Sequence, residues 1–97
     1  MTTNPPTEGR RVLYSGRVQG VGFRYAALRI AQGYAVTGFV RNLSDGRVEL
    51  VAEGNSADLD QLLAAIAETM ADNIRQTDVQ KGPTTGRFRS FEIAMDR

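Results

Sequence analysis

The 97-residue sequence contains no cysteine and no histidine. The lack of cysteine excludes disulfides and thiolate nucleophiles, and the lack of both excludes zinc sites built from these two residues. Without histidine, a triad of the Ser-His-Asp type is also impossible. General acid–base chemistry would have to use Asp, Glu, Lys or Tyr, unless the reaction needs none. An enzyme of this composition must therefore work through simple electrostatics.

A strong charge of one sign and long hydrophobic runs are missing as well. Twelve basic and eleven acidic side chains leave a formal net charge of +1, and their alternation argues against a broad nucleic-acid-binding surface. No run approaches the roughly 18 apolar residues of a transmembrane helix, so no membrane association is expected. The first residues lack the apolar segment of a secretory signal, which makes the cytoplasm the expected location.

The length suits one compact domain. The threonines, asparagine and prolines near the start are typical of a disordered tail. We therefore predict a tail over residues 1–9 and a single domain over residues 10–97, which we expect to act as a monomer.

Apolar spacing in the first half of the chain predicts a strand, a helix and two more strands. Residues 12–18 alternate as a half-buried strand does, and the pattern from Phe23 has the spacing of a helix that Gly33 ends. Residues 35–42 and 47–53 read as strands, joined by a hairpin turn that contains an Asp-Gly pair.

The second half predicts one helix and one or two strands. Asn55 or Ser56 is suited to cap a helix with a strong apolar stripe. The polar residues 74–81 suit an edge strand. The alternating residues 91–95 form a short final strand or an extension of that edge.

The resulting order indicates an α+β fold, the ferredoxin-like α/β sandwich (βαββαβ). It has an antiparallel sheet of four to five strands with two helices on one face. The first two strands and the helix between them form a βαβ unit, so these strands run parallel and end at the same edge of the sheet. Because this fold hosts many functions, function must be argued from the site.

The stretch GRVQGVGFR, residues 16–24, lies between the first strand and the first helix. Gly20 and Gly22 allow the backbone to curl, so that successive amides point toward one spot. The helix N-terminus adds a partial positive charge there. The pattern is compatible with an anion site, and it is also compatible with an ordinary turn.

Arg24 and Asn42 are the polar side chains expected at this end of the sheet. Arg24, in the first helical turn, can lean back toward the loop, and its guanidinium fork suits two oxygens of a phosphate or carboxylate. Asn42 ends the second strand. Each residue also has a structural interpretation, since Arg24 could be a solvated surface residue and Asn42 a turn residue.

Other nucleotide and nucleic-acid motifs fit less well. Tyr25 stands where a dinucleotide fingerprint needs its third glycine, and no phosphate-binding loop of the G-x-x-x-x-G-K-[ST] type is present. An RNA-recognition module shares the element order, but the stretch TGFVRN supplies only Phe39 for base stacking. We keep that module as an alternative and expect no nucleic-acid partner.

The stretches SGRVQGVGFRY and GFVRNLSDGRVELVAEG closely resemble the acylphosphatases. The similarity covers both signature motifs in order and the closing FEI. It implies an enzyme that hydrolyses an acyl phosphate to a carboxylate and inorganic phosphate. It further implies that Arg24 holds the phosphoryl group together with loop amides, those of Gly20, Val21, Gly22 and Phe23. The resemblance also implies that Asn42 orients the attacking water.

The resemblance also sets the expected ligands. The substrate is a small-molecule acyl phosphate, inorganic phosphate is product and inhibitor, and neither a metal nor a cofactor is expected. Phe39 stands where members of the family commonly have tryptophan, and strand alternation keeps it off the face of Asn42. Arg17 and Arg41 are expected to be surface charges that attract an anion. The alternative is a non-catalytic module of the same fold that binds phosphate or a partner.

Overall fold

The computed structural model describes residues 7–97. The elements along the chain are β1 (Thr7–Gly16), α1 (Phe23–Ala31), β2 (Val36–Asn42), β3 (Val48–Asn55), α2 (Ser56–Thr69), β4 (Ile74–Gly82) and β5 (Phe91–Ile93). This order confirms the predicted ferredoxin-like fold, and the five strands agree with the four to five that were predicted. No helix of the described range is long and apolar enough to cross a bilayer.

The start of β1 differs from the predicted domain boundary. Residues 1–6, most of the predicted disordered tail, lie outside the described residues. The last three residues assigned to that tail belong to β1, which begins at Thr7. They are ordered because they continue the antiparallel ladder with β3, in which Thr7 pairs with Asn55 and Gly9 pairs with Glu53.

The strands form one sheet in the order β4-β1-β3-β2-β5. Both β1 and β2 are antiparallel to β3, so they run parallel to each other as predicted. The prediction of an antiparallel sheet is wrong at one edge, because β5 pairs parallel with β2. The strand β4 forms one edge of the sheet, and residues 83–90 connect it to β5 at the opposite edge. Because of this crossing, β5 runs in the same direction as β2.

The core lies between one face of the sheet and the two helices, which also contact each other. Alternate residues of the central strands are buried there, as period-two patterning requires: Val12, Tyr14, Val40, Val48, Leu50 and Ala52. Helix α1 ends at Ala31 with Gln32 as its cap, two residues before the predicted stop. The side chain of Asn55 caps α2 by accepting a hydrogen bond from the Asp58 amide.

The opposite face of the sheet, here called the outer face, carries buried carboxylates. Glu49 accepts hydrogen bonds from Arg11 at 2.7 Å and from Arg41 at 2.6 Å. Burial acts to raise the pKa of Glu49, but these two hydrogen bonds and the charges behind them lower it overall. Each of the two carboxylate oxygens of Glu49 thus accepts a hydrogen bond from an arginine.

Glu53, also on the outer face, holds the segment that crosses the sheet. Its carboxylate accepts hydrogen bonds from the Thr85 amide at 2.9 Å, the Thr85 hydroxyl at 2.7 Å and the Gly86 amide at 3.0 Å. Burial acts to raise the pKa of Glu53, yet these donors lower it overall. The carboxylate thereby secures residues 83–90 against the outer face.

Candidate active site

The loop before α1 has the curled backbone that its glycines allow. Gly20 has a φ of 74° and Gly22 a φ of 80°, and no residue other than glycine has a positive φ in the described chain. A Cβ atom at either position would meet nothing within 4 Å. Glycine is therefore required here by the left-handed backbone and not by crowding.

Helix α1 begins at this loop with backbone donors to spare. Gly22 is its N-cap and supplies no side-chain hydrogen bond. The first bond within the helix runs from the Ala26 amide to the Gly22 carbonyl at 3.0 Å. The amides of Phe23, Arg24 and Tyr25 precede it, and no acidic residue lies in the first turn. The helix end thus presents N–H groups and a partial positive charge to an anion.

A cavity of about 160 Å³, here called the site cavity, lies between this loop and the end of β2. It is lined by Val18, Gly20, Gly22, Phe23, Arg24, Tyr25 and Asn42. All predicted site residues except Val21 line it. Val21 is an exposed residue of the loop. The structure thus brings together the two side chains and the glycine loop that the sequence analysis singled out.

Arg24 reaches an acidic partner that the sequence analysis missed. Its Nη1 atom donates to Asp96 Oδ1 at 3.1 Å, and the Arg24 side chain is 35% exposed. The same oxygen accepts a longer bond, 3.4 Å, from the Asn42 amide. No sequence signal pointed to Asp96, because it follows β5 and reaches Arg24 only through the parallel pairing with β2.

Asn42 ends β2 with an unsatisfied side chain. Its Oδ1 atom is buried and accepts no hydrogen bond from residues 7–97. A buried amide oxygen without a donor is costly, and such atoms are rare in folded proteins. Because Asn42 also lines the site cavity, its amide has hydrogen-bonding capacity left for a water molecule or a ligand there.

Gln19 ties the glycine loop to the turn that follows Asn42. Its Nε2 atom donates to the carbonyl of Leu43 at 2.7 Å and to that of Arg47 at 2.9 Å. These two bonds hold the loop at a constant distance from the end of β2. Gln19 was not among the predicted site residues, although it lies inside the glycine-rich motif.

Tyr14 supports the start of α1 from below. Its ring packs on Phe23 with 4.8 Å between centroids. The Tyr14 hydroxyl is buried without a partner among the described residues, and burial raises the pKa of Tyr14 above its usual range. The residue remains neutral and serves as core beneath the loop.

Arg41 and Phe39 lie away from the site cavity. Arg41 donates to Glu49 and stacks over the Phe39 ring at 4.8 Å, so its guanidinium lies on the outer face. Phe39 also packs edge-on against Phe88 at 5.8 Å. Phe39 is therefore a packing residue of the outer face, off the face of Asn42 as strand alternation predicts. Arg17, before the loop, is an exposed charge.

The cavities elsewhere have different chemistry. One of about 390 Å³ lies along β5 and the crossing segment, with Phe39 and Phe88 among its walls. Its lining residues include neither a helix N-terminus nor an amide side chain without a hydrogen-bond partner. Over residues 7–97 no three carboxylates are grouped so that they could hold a metal ion.

Comparison with known proteins identifies relatives of the chain. The family model described as acylphosphatase matches residues 10–93. The acylphosphatase of Methylococcus capsulatus is 45% identical over 86 residues, which cover 88% of this chain and 94% of that protein. The acylphosphatase of Acaryochloris marina is 42% identical over 84 residues, covering 86% and 89%. The crystal structure of acylphosphatase from Bacillus subtilis superposes with a TM-score of 0.81 at 30% identity, covering 90% of this chain and 98% of that one.

Proposed function

The chain belongs to the acylphosphatase family and hydrolyses acyl phosphates, and from this premise we propose that Arg24, Asn42 and the amides from Gly20 to Phe23 carry the reaction. The observation that carries the proposal is the buried Asn42 Oδ1 without a hydrogen-bond donor, in the same cavity as Arg24 and the glycine loop.

The phosphoryl group is held by charge and by backbone donors. The fork of Arg24 donates to two phosphoryl oxygens, and the loop amides and the start of α1 donate to the others. Asp96 is the competing anion at Arg24, and it is an exposed side chain that a phosphoryl group with more negative charge can displace. Charge that develops during transfer is thereby stabilised by donors already in position.

Asn42 holds the attacking water. Its Oδ1 accepts a hydrogen bond from the water and its Nδ2 group is a donor, so the amide orients the molecule without removing a proton. Positioning of this kind supplies much of the catalysis in phosphoryl transfer. The bound water then supplies the hydrogen-bond donor that Asn42 Oδ1 does not find among residues 7–97.

The bond changes need neither a general acid nor a cofactor. The water oxygen forms a bond to phosphorus while the bond from phosphorus to the acyl oxygen breaks. The leaving group is a carboxylate whose conjugate acid has a pKa of about 4, by analogy with aspartate and glutamate, so it departs without protonation. The proton of the water passes to a phosphoryl oxygen of the substrate. Histidine and cysteine are not required.

Hydrolysis of benzoyl phosphate without added metal tests these roles. We expect Arg24→Ala and Asn42→Ala each to lower kcat/KM by at least about 10²-fold, as for removal of one transition-state donor. Arg41→Ala is the control and should keep most of the activity. It also removes an arginine, but the guanidinium of Arg41 lies on the outer face, away from the site cavity. Circular dichroism and thermal unfolding establish that the variants fold. Variants of Arg24 and Asn42 that keep the wild-type rate would contradict the assignment.

Inorganic phosphate is proposed to bind the same donors as product and inhibitor. Inhibition should be competitive with the acyl phosphate, and Arg24→Ala should weaken it. Non-competitive inhibition that survives in Arg24→Ala would place phosphate elsewhere.

We also propose that the protein acts as a monomer in the cytoplasm, without a nucleic-acid partner. Residues 7–97 expose only a few large apolar side chains: Val21, Tyr25, Val79 and Met95. The face of Phe39 that a base would stack on is engaged by Arg41. Sedimentation equilibrium, cell fractionation and titration with a labelled single-stranded RNA test the three statements.

A further inference from the structure

The candidate active site has two halves that come from different parts of the chain. Arg24, the glycine loop and the first amides of α1 form the half that is proposed to hold the phosphoryl group. Asn42, at the end of β2, forms the half that is proposed to hold the water. Because the water must attack in line with the bond that breaks, the rate depends on how the two halves are placed relative to each other.

The backbone of the loop does not fix this placement. Residues 17–22 are attached at their start, where the Arg17 amide donates to the Asn73 carbonyl at 2.9 Å, and at their end by the first turn of α1. Within the described chain, no backbone hydrogen bond joins residues 17–22 to residues 42–47. The loop also contains glycines, which have the greatest conformational freedom, so it needs a further restraint to keep one position.

Gln19 supplies such a restraint. Its Nε2 atom donates to the carbonyls of Leu43 at 2.7 Å and Arg47 at 2.9 Å, so both hydrogens of its amide are used on the hairpin after β2. The same two carbonyls also accept backbone bonds within the hairpin, from the Gly46 amide at 3.1 Å and the Leu43 amide at 2.8 Å respectively. Because the turn is already closed by these bonds, Gln19 adds a connection between the loop and the hairpin.

A second polar connection between the two halves passes through Asp96. Its Oδ1 atom accepts hydrogen bonds from Arg24 at 3.1 Å and from the Asn42 amide at 3.4 Å, and its side chain is 61% exposed. In the proposed function, the phosphoryl group displaces this carboxylate from Arg24. The two bonds of Gln19 are shorter and partly buried, and they involve no group that the phosphoryl group displaces.

We propose that Gln19 is a positioning residue for the hydrolysis, which sets the distance between the phosphoryl-binding loop and the water held by Asn42. Loss of its two bonds leaves phosphate binding intact, because the donors to the phosphoryl group all lie on the loop side of the connection. It slows the chemical step, because the water is no longer held in line with the bond that breaks. This inference rests on the proposed function, since it assumes that Asn42 holds the water.

Gln19→Met tests the inference with benzoyl phosphate, since it nearly keeps the length of the side chain and removes both donors. We expect kcat to fall about tenfold, less than the roughly 10²-fold cost of a 1 Å displacement, because the loop stays attached at both ends. The inhibition constant of inorganic phosphate should stay nearly unchanged. Gln61→Met, which replaces an exposed glutamine of α2, is the matched control and should leave both values unchanged. An inhibition constant that rises as much as kcat falls would mean that Gln19 only shapes the phosphate-binding loop, and would overturn the inference.

A double-mutant cycle separates positioning from a general structural role. If Gln19 acts through the water held by Asn42, its loss costs little once Asn42 is already truncated. Gln19→Met combined with Asn42→Ala should therefore have the kcat of Asn42→Ala within about twofold. A structural role alone predicts additive losses, so a double variant about tenfold slower than Asn42→Ala would overturn the inference.

Gln19→Asn is the second variant, for the case that Gln19→Met does not fold. It keeps a polar amide, but it is one carbon shorter and cannot reach both carbonyls. The same readouts apply, with a smaller loss of kcat and an unchanged inhibition constant of phosphate. Circular dichroism and thermal unfolding establish that each variant folds.

Asn42→Ala by itself separates this inference from the proposed function. If Asn42→Ala keeps the wild-type rate, the proposed role of Asn42 is wrong, and the inference fails with it. If Asn42→Ala loses activity while Gln19→Met and Gln19→Asn keep the wild-type kcat, the role of Asn42 stands and positioning by Gln19 is overturned.

Discussion

The outer face of the sheet and the site cavity treat buried polar atoms in opposite ways. On the outer face, Glu49 accepts hydrogen bonds from two arginines, and Glu53 accepts three from the crossing segment. Asn42, which lines the site cavity, has a buried Oδ1 that accepts no hydrogen bond from the described part of the chain. Arg24 has one partner there, Asp96, whose side chain is 61% exposed.

The difference separates polar groups whose hydrogen-bonding capacity is used within the fold from polar groups that have capacity left for a ligand. A buried carboxylate with a full set of donors holds strands and loop together, and its bonding capacity is used up. The unsatisfied amide and the partly exposed arginine lower stability or add little to it, but they keep capacity for a ligand. Charge alone does not distinguish the two regions, because one arginine, Arg41, belongs to the outer face and another, Arg24, lines the site cavity.

The largest expected effect comes from exchanging arginine for lysine in each region. Arg24→Lys keeps the charge but loses the fork, so kcat/KM for benzoyl phosphate should fall by about 10²-fold. Its midpoint of thermal unfolding should change little, because the ion pair with Asp96 is exposed. Arg41→Lys should show the reverse pattern, with most activity kept and about 1 kcal/mol of unfolding free energy lost with the bond to Glu49. Similar activity losses in both variants would contradict the proposed difference between Arg24 in the site cavity and Arg41 on the outer face.

An intermediate effect is expected at Glu49, measured as stability against pH. Its pKa in the folded protein is lowered below the ordinary 4.5, so the stabilisation is present above about that pH and is lost as pH falls through the lower folded value. Glu49→Gln should reduce the free energy of unfolding in urea by about 2 kcal/mol at pH 7. The difference from wild type should shrink below pH 4.5.

Glu68→Gln is the control for that measurement, since it removes an exposed glutamate of α2. It should change the free energy of unfolding little at any pH. A Glu49→Gln difference that stays constant down to acidic pH would show that ionisation of Glu49 does not stabilise the fold.

The smallest expected effect is at Asp96. Asp96→Asn removes the carboxylate that competes with phosphate for Arg24, so the inhibition constant of inorganic phosphate should fall about threefold, as for one exposed ion pair. Asp45→Asn provides the comparison, because it breaks another exposed ion pair, with Arg47, and leaves an Asn-Gly turn that the hairpin tolerates. An inhibition constant that rises in Asp96→Asn would mean that Asp96 positions Arg24 instead of competing for it.

Much of the fold could be predicted from local patterns. The stripe of α2 and its Asn55 cap, the hairpin after β2 and the polar edge strand β4 all follow from spacing and turn chemistry within a few residues. The direction of β5 could not be predicted, because three residues at the end of a chain carry no signal of their pairing partner. The start of β1 was missed for the same reason, since Thr7 is ordered by β3 and not by its neighbours in sequence.

For the site, the sequence by itself determined the chemistry that the protein can use. The absence of histidine and cysteine, the glycines at positions 20 and 22 and the arginine that follows are local properties, and they are compatible with an anion site in a loop before a helix. Only the tertiary structure decided which groups meet there and which have spare bonding capacity. Asn42 Oδ1 is buried without a donor from residues 7–97, Arg41 is bound by Glu49, and Asp96 reaches Arg24 from 72 residues away, because strand pairing sets these distances.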